Sequence, residues 1–377
     1  MSSRLLDYTA GLRLGAASGR VYAYCRTSLD ACAYTFMALV FSNSMDAVAL
    51  TRQLVDIESI TGNEGRVADC LHDELTKLGF ESTKIQIDGA RQNVFAHPPG
   101  FPKPELVFST HLDTVPPFIA SSEDATHIYG RGACDAKGII AAQVAAAVRL
   151  REENINTGML FVVGEERDSS GAKAANKNPC GSKFLINGEP TENCVALASK
   201  GALRVDVIAR GRMAHSAYPE LGESAIEKLL DALTRLRTMK LPYEEGIGPS
   251  TLNIGMIEGG RATNVIPDYA RAQLLYRLVG PADALRRDIE KAAAGFAEVS
   301  FPLEIPFMRF RKFDGLPTMT AAFTTDIPWL SNWGEPVLFG PGSIHVAHTD
   351  GECLEKKQLH DAIDVYCLLA RKLLGGS

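Results

Sequence analysis

Histidine and carboxylate side chains recur in this chain at the ends of apolar, β-rich segments. The segments are ELVFST, MLFVV, FLIN and VLFG, and the residues that end or follow them are His111, Glu165, Glu166, Glu189 and His348. Imidazole and carboxylate donors without thiolate are typical of sites for zinc, or for similar divalent ions such as cobalt and manganese. Asp135 in YGRGACDAKG adds a further carboxylate, and two ions bridged by one carboxylate would use this donor set economically.

Each of these residues also has a purely structural interpretation. Asp135 precedes an apolar helical segment and could be its N-cap, the HxD pair of His111 and Asp113 could lie in a turn, and adjacent glutamates in VVGEERD could be solvated. An N-cap explains one carboxylate, whereas like charges gathered at several strand ends need cations. We therefore expect a metal site, in which Asp113 accepts the second ring N–H of His111 and fixes its tautomer.

The two adjacent glutamates are expected to divide their roles. Consecutive residues that leave a strand point in different directions, so one of them can bind metal while the other faces the attacking water. Motifs of other chemistries are missing from the sequence, including GxSxG, GxxxxGK[ST], HExxH and GxGxxG after a strand.

The elements that position these residues follow from the alternation of strands with helices such as Ala136–Arg151. This alternation predicts an α/β sheet of mainly parallel strands, with a site at their carboxyl ends. Between about Ala198 and Phe301 the order becomes strand, helix, strand, strand, helix, which predicts a small inserted βαββα-type module. Its free edge strand favours dimerisation. Met45 opens a capped amphipathic helix, whereas residues 1–44 lack clear periodicity.

Composition narrows the class of protein. The chain has 377 residues, 46% of them hydrophobic and 22% charged, which is enough for a globular protein of two domains. Its net charge of -6, without a basic run interleaved with aromatics, argues against nucleic-acid binding. The eight scattered cysteines suit a reducing compartment without structural disulfides. The apolar run Ala31–Ser42 is too short to span a membrane, and no A-x-A cleavage site lies between the end of this run and Met45, so we expect a cytoplasmic protein.

Taken together, the motifs resemble those of a known family. They are STHLDTVPP, YGRGACDAKG, GEERDSSGA, NGEPTE, GRMAHSAYPELGESAI, GGRATNVIPD and GPGSIHVAHTDGE. In this order they are similar to the acetylornithine deacetylase, succinyl-diaminopimelate desuccinylase and glutamate carboxypeptidase family of dizinc metallohydrolases. The resemblance implies a zinc-peptidase-like α/β/α catalytic domain with a mixed, mainly parallel sheet, plus an inserted α+β, ferredoxin-like dimerisation and lid domain. We expect an N-terminal extension at 1–44, the catalytic domain at 45–198 and 304–377, and the inserted domain at 199–303.

The resemblance also assigns metal ligands. It implies that His111, Asp135 and Glu189 hold one ion, that Asp135 bridges, and that Glu166 and His348 complete the second site. His345, three residues before His348, is a rival ligand at a position where deacetylase-type relatives usually have an aspartate.

Further residues are expected to act on water and substrate. Glu165 corresponds to the general base, which takes a proton from a water held by the two ions and returns it to the leaving amine. His215 of one subunit is expected to reach the active site of its partner in a homodimer and stabilise the oxyanion. Asn264 and Arg277 match substrate-binding positions, and N–H groups of the loop around Gly342 could help Arg277 to clasp a substrate carboxylate.

These expectations define an enzyme that hydrolyses the amide bond of N-acyl-amino acids. The alternative within the family is a di- or tripeptidase or a carboxypeptidase, because the same metal chemistry cleaves either kind of amide. A non-catalytic dimeric binding protein on the same scaffold is the alternative from another class, and the complete set of candidate ligands argues against it.

Overall fold

The computed structural model describes residues 45–375. The prediction that residues 1–44 form an atypical extension falls outside these residues. The helices are α1 (Ala47–Val55), α2 (Gly65–Lys77), α3 (Lys137–Glu152), α4 (Ser170–Ala175), α5 (Ala225–Thr238), α6 (Asp283–Ala293) and α7 (Lys356–Leu374), with short 3-10 helices at Pro219–Leu221 and Ile327–Leu330.

The strands belong to one large sheet, one sheet in an inserted segment, and several small sheets. In chain order they are β1 (Glu81–Asp88), β2 (Arg91–His97), β3 (Leu106–His111), β4 (Ser122–Glu123), β5 (His127–Tyr129), β6 (Thr157–Val162), β7 (Phe184–Asn187), β8 (Val195–Ser199), β9 (Gly201–Arg210), β10 (Ala214–His215), β11 (Tyr243–Glu244), β12 (Gly248–Pro249), β13 (Thr251–Gly259), β14 (Val265–Ile266), β15 (Tyr269–Leu278), β16 (Glu298–Ile305), β17 (Met308–Arg309), β18 (Thr318–Ala321), β19 (Glu335–Leu338) and β20 (Cys353–Glu355).

The large sheet has the strand order β1-β2-β6-β3-β7-β19. β3 runs parallel to both β6 and β7, and β19 runs parallel to β7, whereas β1 and β2 add an antiparallel edge. Every residue of β3 and β6 is buried, as expected for strands covered on both faces. The predicted mixed, mainly parallel sheet is therefore confirmed.

Helical layers cover both faces of this sheet. On one face Phe108 packs with Ile140 of α3 and Tyr366 of α7, and the two aromatic rings meet edge to face at 5.4 Å. On the other face Leu160 and Leu185 pack with α4 and with Trp333 beside the second 3-10 helix. The result is the three-layer α/β/α arrangement that positions the carboxyl ends of the parallel strands at one edge.

The inserted segment has its own antiparallel sheet, in the order β13-β15-β9-β16. Helices α5 and α6 cover one face of it, and alternate residues of β15 such as Leu274 and Tyr276 are buried against them. Ser224 caps α5 by accepting the N–H of Glu227, as its Ser-x-x-Glu spacing predicts. The predicted βαββα order is incomplete, because the chain turns at Gly295 (φ +82°) and continues as β16, which gives βαββαβ.

Two further features concern the cysteines and the length of the apolar helices. The six cysteines within the described residues are all free. No helix within residues 45–375 has both the length and the apolar character needed to cross a membrane.

Candidate metal centre

Adjacent strand ends bring the candidate ligands together. His111 is the last residue of β3, Glu165 and Glu166 follow β6, and Glu189 follows β7. Because β6, β3 and β7 are neighbouring parallel strands, their carboxyl ends meet at one edge of the sheet. His348 reaches the same place from the loop after β19, with its backbone in the left-handed region at φ +63°.

His111, Asp135 and Glu189 form the first triad, in which one donor atom of each residue lies within 4.8 Å of the others. All three residues are buried. The Nδ1–H of His111 donates to the main-chain oxygen of Asp113 at 3.0 Å, and its Nε2 lies 2.9 Å from Asp135 Oδ1. A ring whose Nδ1–H is engaged by a carbonyl has its Nε2 lone pair free for a ligand.

Asp135, Glu166 and His348 form the second triad, under the same distance limit. His348 Nε2 lies 2.9 Å from Glu166 Oε1 and 3.5 Å from Asp135 Oδ2. Asp135 thus presents one carboxylate oxygen to each triad. The Glu165 carboxylate stands beside them and makes no hydrogen bond or ion pair within residues 45–375.

Burial and mutual repulsion perturb the titration of this cluster. Burial, reinforced by neighbouring carboxylates, raises the pKa values of Glu165 and Glu189 well above their usual range. Burial alone would lower the pKa of His111, but the neighbouring carboxylates of Asp113 and Asp135 raise it well above its ordinary value. The pKa of Asp135 is lowered because its hydrogen bonds to His111 and His348 outweigh the effect of burial. Titratable groups with strongly shifted pKa values cluster at functional sites.

The residues fit a pair of divalent cations. Glu189 Oε1 is buried without a hydrogen-bond partner among the described residues, so a cation would satisfy an otherwise costly acceptor. The donors are all imidazole nitrogen or carboxylate oxygen, which suit zinc and its neighbours. Several carboxylates at one strand edge require positive charge to stay ionised together.

Asp113 is arranged differently from the prediction. Its carboxylate lies 3.6 Å from His111 Nδ1, and the closer acceptor is its own main-chain oxygen. The carboxylate instead accepts the backbone N–H groups of Glu165 at 3.1 Å and Glu166 at 3.2 Å, and the hydroxyl of Thr61 at 2.8 Å. Asp113 therefore holds the main chain of both glutamates, a role the HxD spacing did not indicate.

The turn before the glutamates depends on glycine. Gly164 has φ +80°, and a Cβ there would run into the side chains of Arg91 and Ser170. Arg91 is fixed in turn by the buried carboxylate of Glu64, whose Oε2 lies 3.1 Å from Arg91 Nε.

Asp135 is not a helix N-cap. The N-cap of α3 is Ala136, and no side chain caps this helix end. The backbone of the Asp135 turn donates instead to Glu352, a buried residue that the sequence analysis did not single out. Asp326, a further buried carboxylate near the cluster, was also missed, and burial raises its pKa to about 7.

The remaining predicted residues lie outside both triads. His215 is exposed on β10, which pairs with β14, and the N–H of the adjacent Ser216 donates to the Asn264 carbonyl. Arg277 lies half-buried on β15, on the sheet face opposite the helices, and makes no ion pair within the described residues. His348 belongs to one of the two groups of candidate metal ligands found among the described residues, whereas His345 belongs to neither.

The loop around Gly342 differs from the prediction. The Gly342 N–H donates to Gln358 Oε1 at 2.9 Å, and the Gly340 N–H donates to Thr191 Oγ1 at 2.9 Å. Pro341 has no N–H to offer. These donors already serve the fold and are not available to a substrate carboxylate, which corrects the assignment of Gly342.

Curated relatives match most of the chain. It is 37% identical to a peptidase M20 domain-containing protein of Schizosaccharomyces pombe, covering 85% of this chain and 82% of that protein. It is also 37% identical to a probable carboxypeptidase of Aspergillus clavatus, covering 88% of this chain and 83% of that protein. Residues 197–298 match the family described as the peptidase dimerisation domain.

Solved structures share the fold. An aminopeptidase PepT from Bacillus cereus has a TM-score of 0.74 at 23% identity, covering 87% of this chain and 98% of the other. A Bacillus subtilis protein described as a dinuclear metal-binding peptidase of the M20 family has a TM-score of 0.63 at 16% identity, covering 87% and 98%. The curated relatives match most of the chain, and the large sheet and the inserted sheet have the arrangement of this fold. The chain therefore belongs to the M20 peptidase family and is a hydrolase of carbon–nitrogen bonds.

Proposed function

We propose that the chain is a two-metal peptidase of the carboxypeptidase type, which cleaves a peptide bond next to a free carboxylate. The observation that carries this proposal is the pair of triads that share Asp135, beside the unpaired carboxylate of Glu165. The Aspergillus relative, which matches most of both chains, is named a probable carboxypeptidase. This name favours a peptide substrate over the N-acyl-amino acid expected from the motifs. Deacylation of N-acyl-amino acids is the competing outcome in the test below.

The two triads assign a ligand set to each ion. His111 and Glu189 would hold one ion, Glu166 and His348 the other, and Asp135 both. Zinc fits this donor set, and cobalt or manganese would also suit it. When bound, such ions supply Lewis acidity for the amide carbonyl and a water of lowered pKa.

Glu165 is the residue that moves the proton. Its carboxylate forms no hydrogen bond or ion pair with the residues that the structure describes and adjoins the first triad, so it can accept a proton from the attacking water at a carboxylate oxygen. The same oxygen then returns the proton to the nitrogen of the leaving amine. Asp113 keeps this side chain oriented because it binds the Glu165 N–H.

Substrate binding is assigned to the inserted segment. Arg277 has a guanidinium that forms no ion pair within residues 45–375, and such a group suits the terminal carboxylate of a peptide. His215 and Asn264 lie next to each other on exposed backbone, which supports an approach to the active site of a partner subunit.

The dimer is assigned to the edge strand β13. Its exposed Met256 and Ile257, at 58% and 59% of full exposure, offer apolar surface beside unpaired strand groups. We place the protein in the cytoplasm, which the free thiols within the described residues support.

A substrate panel tests the function. Zinc-loaded protein would be assayed with a dipeptide, an N-blocked dipeptide, the same blocked peptide with a C-terminal amide, N-acetylornithine and N-succinyl-diaminopimelate. Hydrolysis of the N-blocked peptide, with no hydrolysis of its C-terminal amide, is the expected result. Turnover of only the N-acyl-amino acids would replace the peptidase assignment with the deacylase, and turnover of only the unblocked peptide would indicate a dipeptidase.

A further inference from the structure

A buried carboxylate outside both triads holds the turn that carries Asp135. Glu352 is 2% exposed and lies four positions after His348. Its Oε1 accepts the backbone N–H groups of Gly132 at 2.9 Å, Cys134 at 3.1 Å and Asp135 at 3.0 Å. Three donors from one turn therefore converge on a single oxygen.

The other carboxylate oxygen of Glu352 faces an arginine. Arg131 Nη1 donates to Glu352 Oε2 at 2.6 Å and also to the main-chain oxygen of Thr349 at 3.1 Å, directly after His348. The Gly130 N–H donates to the Glu352 main-chain oxygen at 3.1 Å. These bonds join two chain segments more than two hundred residues apart, the Asp135 turn and the His348 loop.

A carboxylate is required at this position for a chemical reason. It is the only side-chain group whose oxygens both act solely as acceptors, and here one oxygen meets three N–H groups while the other meets a guanidinium. A glutamine would place an NH2 group against either the Arg131 guanidinium or the backbone N–H groups. Hydrogen bonds to a charged group are also about twice as strong as neutral ones, so the neutral isostere is weaker even where it fits.

The two segments joined here supply ligands to both triads. Asp135 belongs to each triad, and His348 belongs to the second. A shift of either backbone would change the distances between donor atoms that each triad needs.

We propose that Glu352 is a positioning residue for the metal centre, which fixes Asp135 and His348 relative to each other and so sets the affinity for both ions. This inference rests on the proposed function, because it takes the two triads as metal sites. Outer residues that orient metal ligands typically change metal affinity by roughly 10- to 100-fold when substituted.

The test is a metal titration that does not depend on activity. Metal-free wild type and Glu352→Gln would be titrated with Zn²⁺ in competition with a chelating indicator, and circular dichroism would establish that each protein is folded. Glu355→Gln is the matched control, since this nearby glutamate forms no side-chain hydrogen bond or ion pair within the described residues. The expected result is a loss of affinity of roughly 10- to 100-fold in Glu352→Gln, with Glu355→Gln like the wild type.

The outcomes separate the two proposals. Wild-type protein that binds no Zn²⁺ would overturn the metal site itself, whereas tight binding by the wild type and equally tight binding by folded Glu352→Gln would overturn only the positioning role. A lowered unfolding temperature with unchanged affinity would likewise assign Glu352 a merely structural role. If Glu352→Gln does not fold, Arg131→Met decides, since it keeps the Glu352 carboxylate but removes the donors of Arg131 to Oε2 and to the main-chain oxygens of Thr349 and Pro117. Wild-type affinity in that variant overturns the proposal.

Discussion

Replacing Asp113 with asparagine tests how the two glutamates are held. The Asp113 carboxylate accepts the N–H of Glu165 through Oδ1, and the N–H of Glu166 and the hydroxyl of Thr61 through Oδ2. The hydroxyl can rotate and accept, but the backbone N–H groups cannot. Whichever way the asparagine amide is turned, its NH2 therefore faces the N–H of Glu165 or of Glu166.

The magnitude follows from this count of donors. One buried backbone N–H left without an acceptor costs about 1–3 kcal/mol, so Asp113→Asn should lower the free energy of unfolding by about that amount. If displacement of the two glutamates costs the transition state the same 1–3 kcal/mol, kcat/KM falls as well. Because about 1.4 kcal/mol corresponds to a factor of ten, kcat/KM should fall by roughly 5- to 150-fold.

Urea unfolding of the metal-free protein and steady-state kinetics of the zinc-loaded protein measure the two effects. Asp314→Asn is the control, because Asp314 is exposed and makes no side-chain hydrogen bond within the described residues. An Asp113→Asn variant with wild-type stability and wild-type kcat/KM would refute the reasoning that this carboxylate holds the glutamates.

Further expectations concern the proton carrier, a buried acid and the dimer. Glu165→Gln should keep both ions while kcat falls by roughly 10²- to 10⁴-fold, whereas Glu166→Gln should bind one ion fewer. Elemental analysis measures the bound ions, and steady-state kinetics measures kcat. Full activity of Glu165→Gln would show that Glu165 is not the general base. The pKa of Asp326 is raised to about 7, so its folded form keeps a proton between about pH 4 and 7 that the unfolded chain loses. The contribution of Asp326 to the stability of the metal-free protein should therefore fall as pH rises through this window. In urea unfolding, the stability of Asp326→Asn relative to the wild type should be greater at pH 8 than at pH 5. Equal differences at the two pH values would count against the assignment. Ile257→Asp on the edge strand β13 should shift sedimentation towards the monomer while Leu303→Asp on β16 does not, and a dimeric Ile257→Asp protein would place the interface elsewhere.

Local patterns were sufficient to predict the main strands and their polar ends. The runs ending at His111 and before Glu189 are apolar and β-rich because both faces of these strands are buried, and the structure has strands at these places. Parallel neighbours then require the residues at the carboxyl ends to meet. The assignment of each ligand to one of the two ions, with Asp135 shared, came from the family resemblance. Spacing in the sequence alone does not indicate which side chains bind the same ion.

The features that were missed depend on contacts between distant segments. Glu352 binds a turn more than two hundred residues earlier, and Asp113 binds the turn after β6, so neither contact leaves a periodic signal in the sequence. The assignment of Gly342 failed for the same reason, because its N–H is taken by Gln358. The strand β16 was not predicted, because the helical composition of ADALRRDIEKAAAGFAEV continues past the turn at Gly295 into the first two residues of the strand, Glu298 and Val299.

The number of divalent ions bound per chain tests the central claim most directly. Elemental analysis of zinc-loaded, desalted protein should give two ions per chain for the wild type, and Asp135→Asn should lose both, because Asp135 belongs to each triad. A wild-type chain that binds no zinc, or an Asp135→Asn chain that keeps two ions with wild-type affinity, would contradict the shared-carboxylate centre.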